Sequence, residues 1–112
     1  MPDATSILSK LNEVEEEMKA IGYWSKNPSD LQPKIASGEI KNYTEAPSFE
    51  LWLQTVFLPN AREACRTNVL PKQSQVGVMA LRQYDYHSSV PEAHRLMKLL
   101  FEFDKLVILN SR

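Results

Sequence analysis

Apolar residues recur along this chain at steps of three and four, and the densest run lies at 48–59. There Phe49, Trp52, Leu53, Val56 and Phe57 fall at i, i+3, i+4, i+7 and i+8, one full face of an α-helix. Leu51 and Leu58 add a second apolar edge, so the run is expected to be the central element of a small core. Ser48 is a good N-cap. Pro59 offers no N–H to the Thr55 carbonyl and its ring crowds that oxygen, which predicts a kink at Pro59. Ala61, Ala64 and Cys65 carry the apolar side on to about Asn68, and Leu70-Pro71 closes the element.

Three more helices follow from the same spacing. Ile7, Leu11, Val14, Met18 and Ile21 predict a helix from about Thr5 to Ile21, ended by Gly22 in a left-handed cap. Val76, Met79, Ala80 and Tyr84 predict a weaker one over about 75–86, in which Gly77 costs about 1 kcal/mol of propensity. Ala93, Leu96, Leu100, Phe103 and Val107 predict the last, to about Asn110. Its start, Ser89-Val90-Pro91-Glu92, reads as a capping box with proline in the first turn. No strand-like alternation and no repeat competes. The expectation is an all-α, single-domain bundle of about four helices spanning 1–112.

Residues 22–47 break the pattern. Pro28, Pro33 and Pro47 and a Ser37-Gly38 turn signal interrupt them, and only a helical turn near 29–35 is expected. A loop this long is either a packed meander or a functional lid.

Composition changes the picture little: 112 residues, 43% hydrophobic and 24% charged, describe one ordinary globular domain. The net charge of −1 gives no global attraction to nucleic acid or membrane. Its distribution is uneven: residues 1–50 hold five lysines against nine acidic residues, and 51–112 hold eight basic residues against five acidic. The acidic run around Glu13–Glu17 reads as a solvated helix face. The lone cysteine, Cys65, allows no intrachain disulfide and no CxxC-type zinc site. No signal sequence or membrane span is evident, so a cytoplasmic protein is expected.

Candidate chemistry is sparse. His87 and His94 have no HxxxH or HExxH partner, so no metal and no cofactor are expected. Cys65 lies on an apolar face, where a cysteine behaves as a small hydrophobe. Tyr84 and Tyr86 interleave with Arg82 and His87, a weak base-stacking signal. Asp104 lies on the flank of the last helix, where it should be partly buried and so needs a partner. Arg62, Arg82, His87, Tyr84 and the Trp52 indole are the candidates, and a structural hydrogen bond outweighs catalysis.

Trp52-Leu53-Gln54 followed by Val56-Phe57-Leu58-Pro59 resembles the signature of the YqcC-like family of small bacterial proteins. Tyr23-Trp24, Leu70-Pro71 and Phe103-Asp104-Lys105-Leu106 fit in the same order. The resemblance implies a small helical bundle without assigned catalytic residues, often encoded beside a tRNA pseudouridine synthase. The chain departs from the family in a longer loop after Trp24 and in Asn60, where a basic residue is frequent. The expected function is a non-enzymatic protein-interaction factor. The alternatives are an RNA-binding accessory in tRNA modification, using Arg62, Arg66, Lys72 and Arg82, and a small enzyme with a pocket under the loop.

Overall fold

A computed structural model describes residues 4–85 and 90–110. Among these the chain forms five helices and no strand. Helix α1 spans Ala4–Ala20, and the short α2 spans Gln32–Ala36 inside the long loop. Helix α3 runs unbroken over 49–67 as an α-helical turn Phe49–Trp52, a π-helical segment Leu53–Phe57 and an α-helix Leu58–Thr67. Helices α4 and α5 span Val76–Tyr84 and His94–Asn110. Single 3₁₀ turns lie at Tyr43–Glu45 and Pro91–Ala93.

The boundaries follow from local chemistry. Gly22 takes φ 80 and Asn68 takes φ 57, the left-handed conformation that ends α1 and α3. Ser48 Oγ accepts the Leu51 N–H at 3.0 Å as the N-cap of α3. The expected helical turn near 29–35 forms slightly later, as α2. The expected capping Ser89 lies outside the described residues.

One expectation is corrected. The Trp52 run is not the centre of the bundle; α5 is, packing against both α1 and α4. Its wide apolar face buries Leu96, Met97, Leu99, Leu100, Phe103 and Val107, enough for two neighbours. Helix α3 lies to the side with Leu53 and Leu58 fully buried, and Trp52 is only half-buried. The ion pairs Lys10–Glu102 and Arg95–Glu17 run α1 antiparallel to α5. Arg62–Glu15 ties α3 to α1.

The irregularity attributed to Pro59 appears one turn ahead of it. Leu58 N–H reaches back five residues to the Leu53 carbonyl, and this wider turn relieves the ring's clash with the Thr55 carbonyl. The Thr55 oxygen, denied an N–H by proline, accepts one from Gln32 Nε2 of the loop at 3.1 Å. The loop is pinned again by Gln54, whose amide accepts from Ser25 N at 3.0 Å and donates to Ser25 O at 2.8 Å.

Gly77 explains its own presence in α4. A Cβ there would stand 2.6 Å from Phe101 Cδ1 and 2.9 Å from Phe101 Cα, so glycine sets how closely α4 approaches α5. Gly77→Ala should therefore lower stability by about 1–3 kcal/mol despite alanine's better helix propensity. Urea unfolding measures this, and a variant as stable as the parent would show that the helices part without cost.

Candidate functional site

The aromatic residues of α3 join those of its neighbours in a continuous chain. Tyr23 meets Tyr84 at 5.8 Å between ring centroids, Tyr84 meets Phe49 edge-on at 5.7 Å, and Phe49 stacks with Trp52 at 6.0 Å. Trp52 then stacks with Phe57 at 6.2 Å, and Phe57 meets Phe103 edge-on at 5.1 Å. Trp52 and Phe57 are half-buried because they stop at an open groove of about 440 Å³. Helix α3 contributes Trp52, Val56, Phe57, Asn60, Ala61 and Ala64 to its walls. The α3–α4 connection adds Leu70, Pro71, Gln73 and Ser74, with Gln75 at the start of α4, Met79 on it and Phe103 on α5. No charged side chain is among these lining residues.

Asp104 sits behind the groove's far wall. Its carboxylate is buried and accepts from Ser74 Oγ at 2.5 Å, Val76 N at 3.1 Å and Gly77 N at 2.7 Å. It thus caps the start of α4 from another helix, satisfying N–H groups that have no acceptor within α4. Burial pushes the carboxyl above the usual range, against the pull of the Ser74, Gly77 and Val76 donors. None of the expected partners reaches it within the described residues. Arg62 is held by Glu15 at 2.8 Å, and Tyr84 donates to Glu50 at 2.6 Å; His87 lies outside the described residues. Burial, then Glu50, pushes the Tyr84 phenol far above its ordinary range, so it stays a donor.

A second depression of about 470 Å³ opens where the loop leaves α1, between residues 22–25 and Ser48, Glu50, Leu51 and Gln54. Three of its polar side chains are engaged: Ser48 caps α3, Glu50 takes the Tyr84 hydroxyl, and Gln54 holds Ser25. Cys65 is buried, and burial pushes its thiol up, away from a reactive thiolate.

Two of the four candidate RNA contacts are already ion-paired. Arg62 pairs with Glu15, and Arg66 with Glu63. Both arginines line a shallow depression with Leu8 and Cys65. Lys72 follows α3 and Arg82 is exposed on α4. No group of His, Cys, Asp or Glu suited to a metal ion occurs among the described residues. None of their helices is long and apolar enough to cross a membrane.

The family model DUF446, described as tRNA pseudouridine synthase C, matches residues 6–106. The chain belongs to the DUF446 family. No curated protein and no solved structure matches it. The span shared with DUF446 takes in the whole groove, the Asp104 cap and the Gln54 clamp.

Sequence reasoning missed Gln32, Gln54, Ser74 and Gly77 as structural determinants in this DUF446 chain. Pro59 announces that the Thr55 carbonyl lacks its usual donor, but nothing in the spacing says which side chain arrives. The Asp104 cap gives a sharp expectation. Asp104→Ala strands a hydroxyl and two N–H groups in a buried site and should cost about 2–4 kcal/mol. Asp104→Asn keeps one acceptor oxygen and should cost less. Calorimetry gives the order, and an alanine variant melting with the parent would contradict the cap.

Proposed function

We propose that this chain is a non-enzymatic, cytoplasmic accessory of tRNA pseudouridylation that docks an apolar segment of a pseudouridylating enzyme in the Trp52 groove. The observation that carries this reading is the groove's chemistry. Three aromatic rings, Met79 and Leu70 face an open cleft whose rim is amide and hydroxyl, supplied by Asn60, Gln73, Ser74 and Gln75. Such a lining suits an uncharged protein segment with apolar anchors and offers no cation to phosphate. The family description supplies the process, since it names a tRNA pseudouridine synthase. A catalyst that detaches a base and rejoins it through carbon needs a reactive group facing the nucleoside. Asp104 does not serve, because its oxygens are occupied by three donors behind the wall.

Direct RNA binding is the second reading, favoured by the same family description. Arg62 and Arg66 would have to leave Glu15 and Glu63 to meet phosphates. That exchange offsets much of what the phosphate contacts contribute. Were RNA the ligand, tRNA retardation would weaken steeply with salt through counterion release, and replacing Lys72 and Arg82 with alanine would flatten that dependence.

The test uses the host's own tRNA pseudouridine synthase, titrated calorimetrically with the intact chain. Met79→Glu places a charge in the groove and should weaken binding at least about tenfold, or about 1.4 kcal/mol. Circular dichroism checks that the variant keeps the parent's helicity. Lys72→Ala with Arg82→Ala should leave the affinity unchanged. Equal binding by Met79→Glu, or no complex with the parent chain, would overturn the proposal.

A further inference from the structure

Residues 26–41 cross α3 as a strap fixed at both ends. At one end Ser25 is held by the two hydrogen bonds from Gln54. At the other, the Tyr43 ring lies 5.7 Å from Phe49 and 5.9 Å from Trp52. Between these anchors the strap has little holding it. Leu31 and Ile40 are its buried side chains, and with Val56 they form a satellite cluster separate from the main core. Helix α2 itself buries no residue. Gln32 supplies the hydrogen bonds to α3, from Nε2 to the Thr55 carbonyl at 3.1 Å and to Asn60 Oδ1 at 3.0 Å. Strap and groove share a floor: Val56 of the satellite cluster and Trp52, which packs against that cluster, also line the groove, and Asn60, which Gln32 holds, lies on its rim.

We propose that the strap 26–41 is a lid that opens as a unit in the folded protein, with Gln32 as its latch, and so extends the Trp52 groove across Val56. Two buried side chains, the half-buried Ile35 and one amide are a small hold compared with the main cluster, which draws on every long helix. Local opening free energies follow such differences in buried contact. The Pro59 break is what makes a latch possible, because it leaves a carbonyl that a side chain can take or release. The use of the lid rests on the groove reading above; its opening does not.

The test measures thiol labelling in the intact chain with Cys65 replaced by alanine, so failure here is separate from failure of partner binding. Leu31→Cys places a thiol on the covered face of the strap, away from the groove, and Leu11→Cys places one in the main core. The lid predicts that the thiol at 31 labels at least about tenfold faster than that at 11 and with little urea dependence at low urea. Gln32→Ala should speed labelling at 31 by about five- to tenfold, the loss of one or two hydrogen bonds. Gly77→Ala weakens the core alone, so it should speed labelling at 11 and leave 31 unchanged at low urea. Amide exchange in the unaltered chain gives a second reading, with Ile35 and Ile40 exchanging well before the amides of α5. Equal rates and equal urea slopes at 11 and 31, or amides of strap and α5 exchanging together, would overturn the lid. An unchanged rate at 31 in Gln32→Ala would overturn the latch.

Discussion

A proline at position 59 leaves the Thr55 carbonyl without the N–H that an α-helix would bring it, and much of the molecule is arranged around that deficit. The turn before it widens into a π-helical segment. The carbonyl faces outward to Gln32, which draws the long loop onto α3. Leu31 and Ile40 then bury against Val56, and a stretch of chain with two prolines and no periodicity is drawn onto the helix as the strap. The segment that resolves the clash also carries Val56 and Phe57 to the groove, with Trp52 just ahead of it, so a backbone irregularity and the proposed docking surface coincide. π-Segments recur at functional sites for this reason: they turn side chains and carbonyls away from the regular ladder.

The opposite wall of the groove depends on a buried carboxylate. Asp104 orders Ser74 and the start of α4 with three hydrogen bonds, and the bare Gly77 lets α4 settle against Phe101. Ser74 and Gln75 line the groove at this point, and Met79 follows one turn along. An acidic side chain that looks like chemistry in the sequence therefore works as a fixture, and the cleft it supports is apolar. The combination supports the docking role proposed for this chain, whose family model is described as tRNA pseudouridine synthase C.

Most helices were legible because burial leaves a period. Ile7, Leu11, Val14 and Met18 occupy the core face that their spacing implies, and Gly22 ends α1 with a positive φ. The all-helical class follows from the same signal. The centre of the bundle did not, because apolar density along 48–59 measures how much surface a helix must hide and not from how many sides. Trp52 and Phe57 hide part of theirs against each other and against Tyr43, Phe49 and Phe103, and leave the rest to the groove. Asp104 was legible as a carboxylate in need of partners; its partners were not, because main-chain N–H groups carry no sequence mark. Gln32 and Gln54 were silent for a related reason. An amide that satisfies a distant backbone looks like any polar loop or helix residue until the fold brings the two together.

The link between Pro59 and Gln32 is open to direct measurement by a double-mutant cycle in urea unfolding, with Pro59→Ala, Gln32→Ala and the pair. Gln32→Ala should cost about 1–2 kcal/mol in the parent chain. With alanine at 59 supplying an N–H to Thr55, the same change should cost less by about 1 kcal/mol, a coupling outside the usual error of additivity. Equal cost in both backgrounds would mean that Gln32 holds the strap for some other reason, and that the missing hydrogen of proline does not organise this molecule.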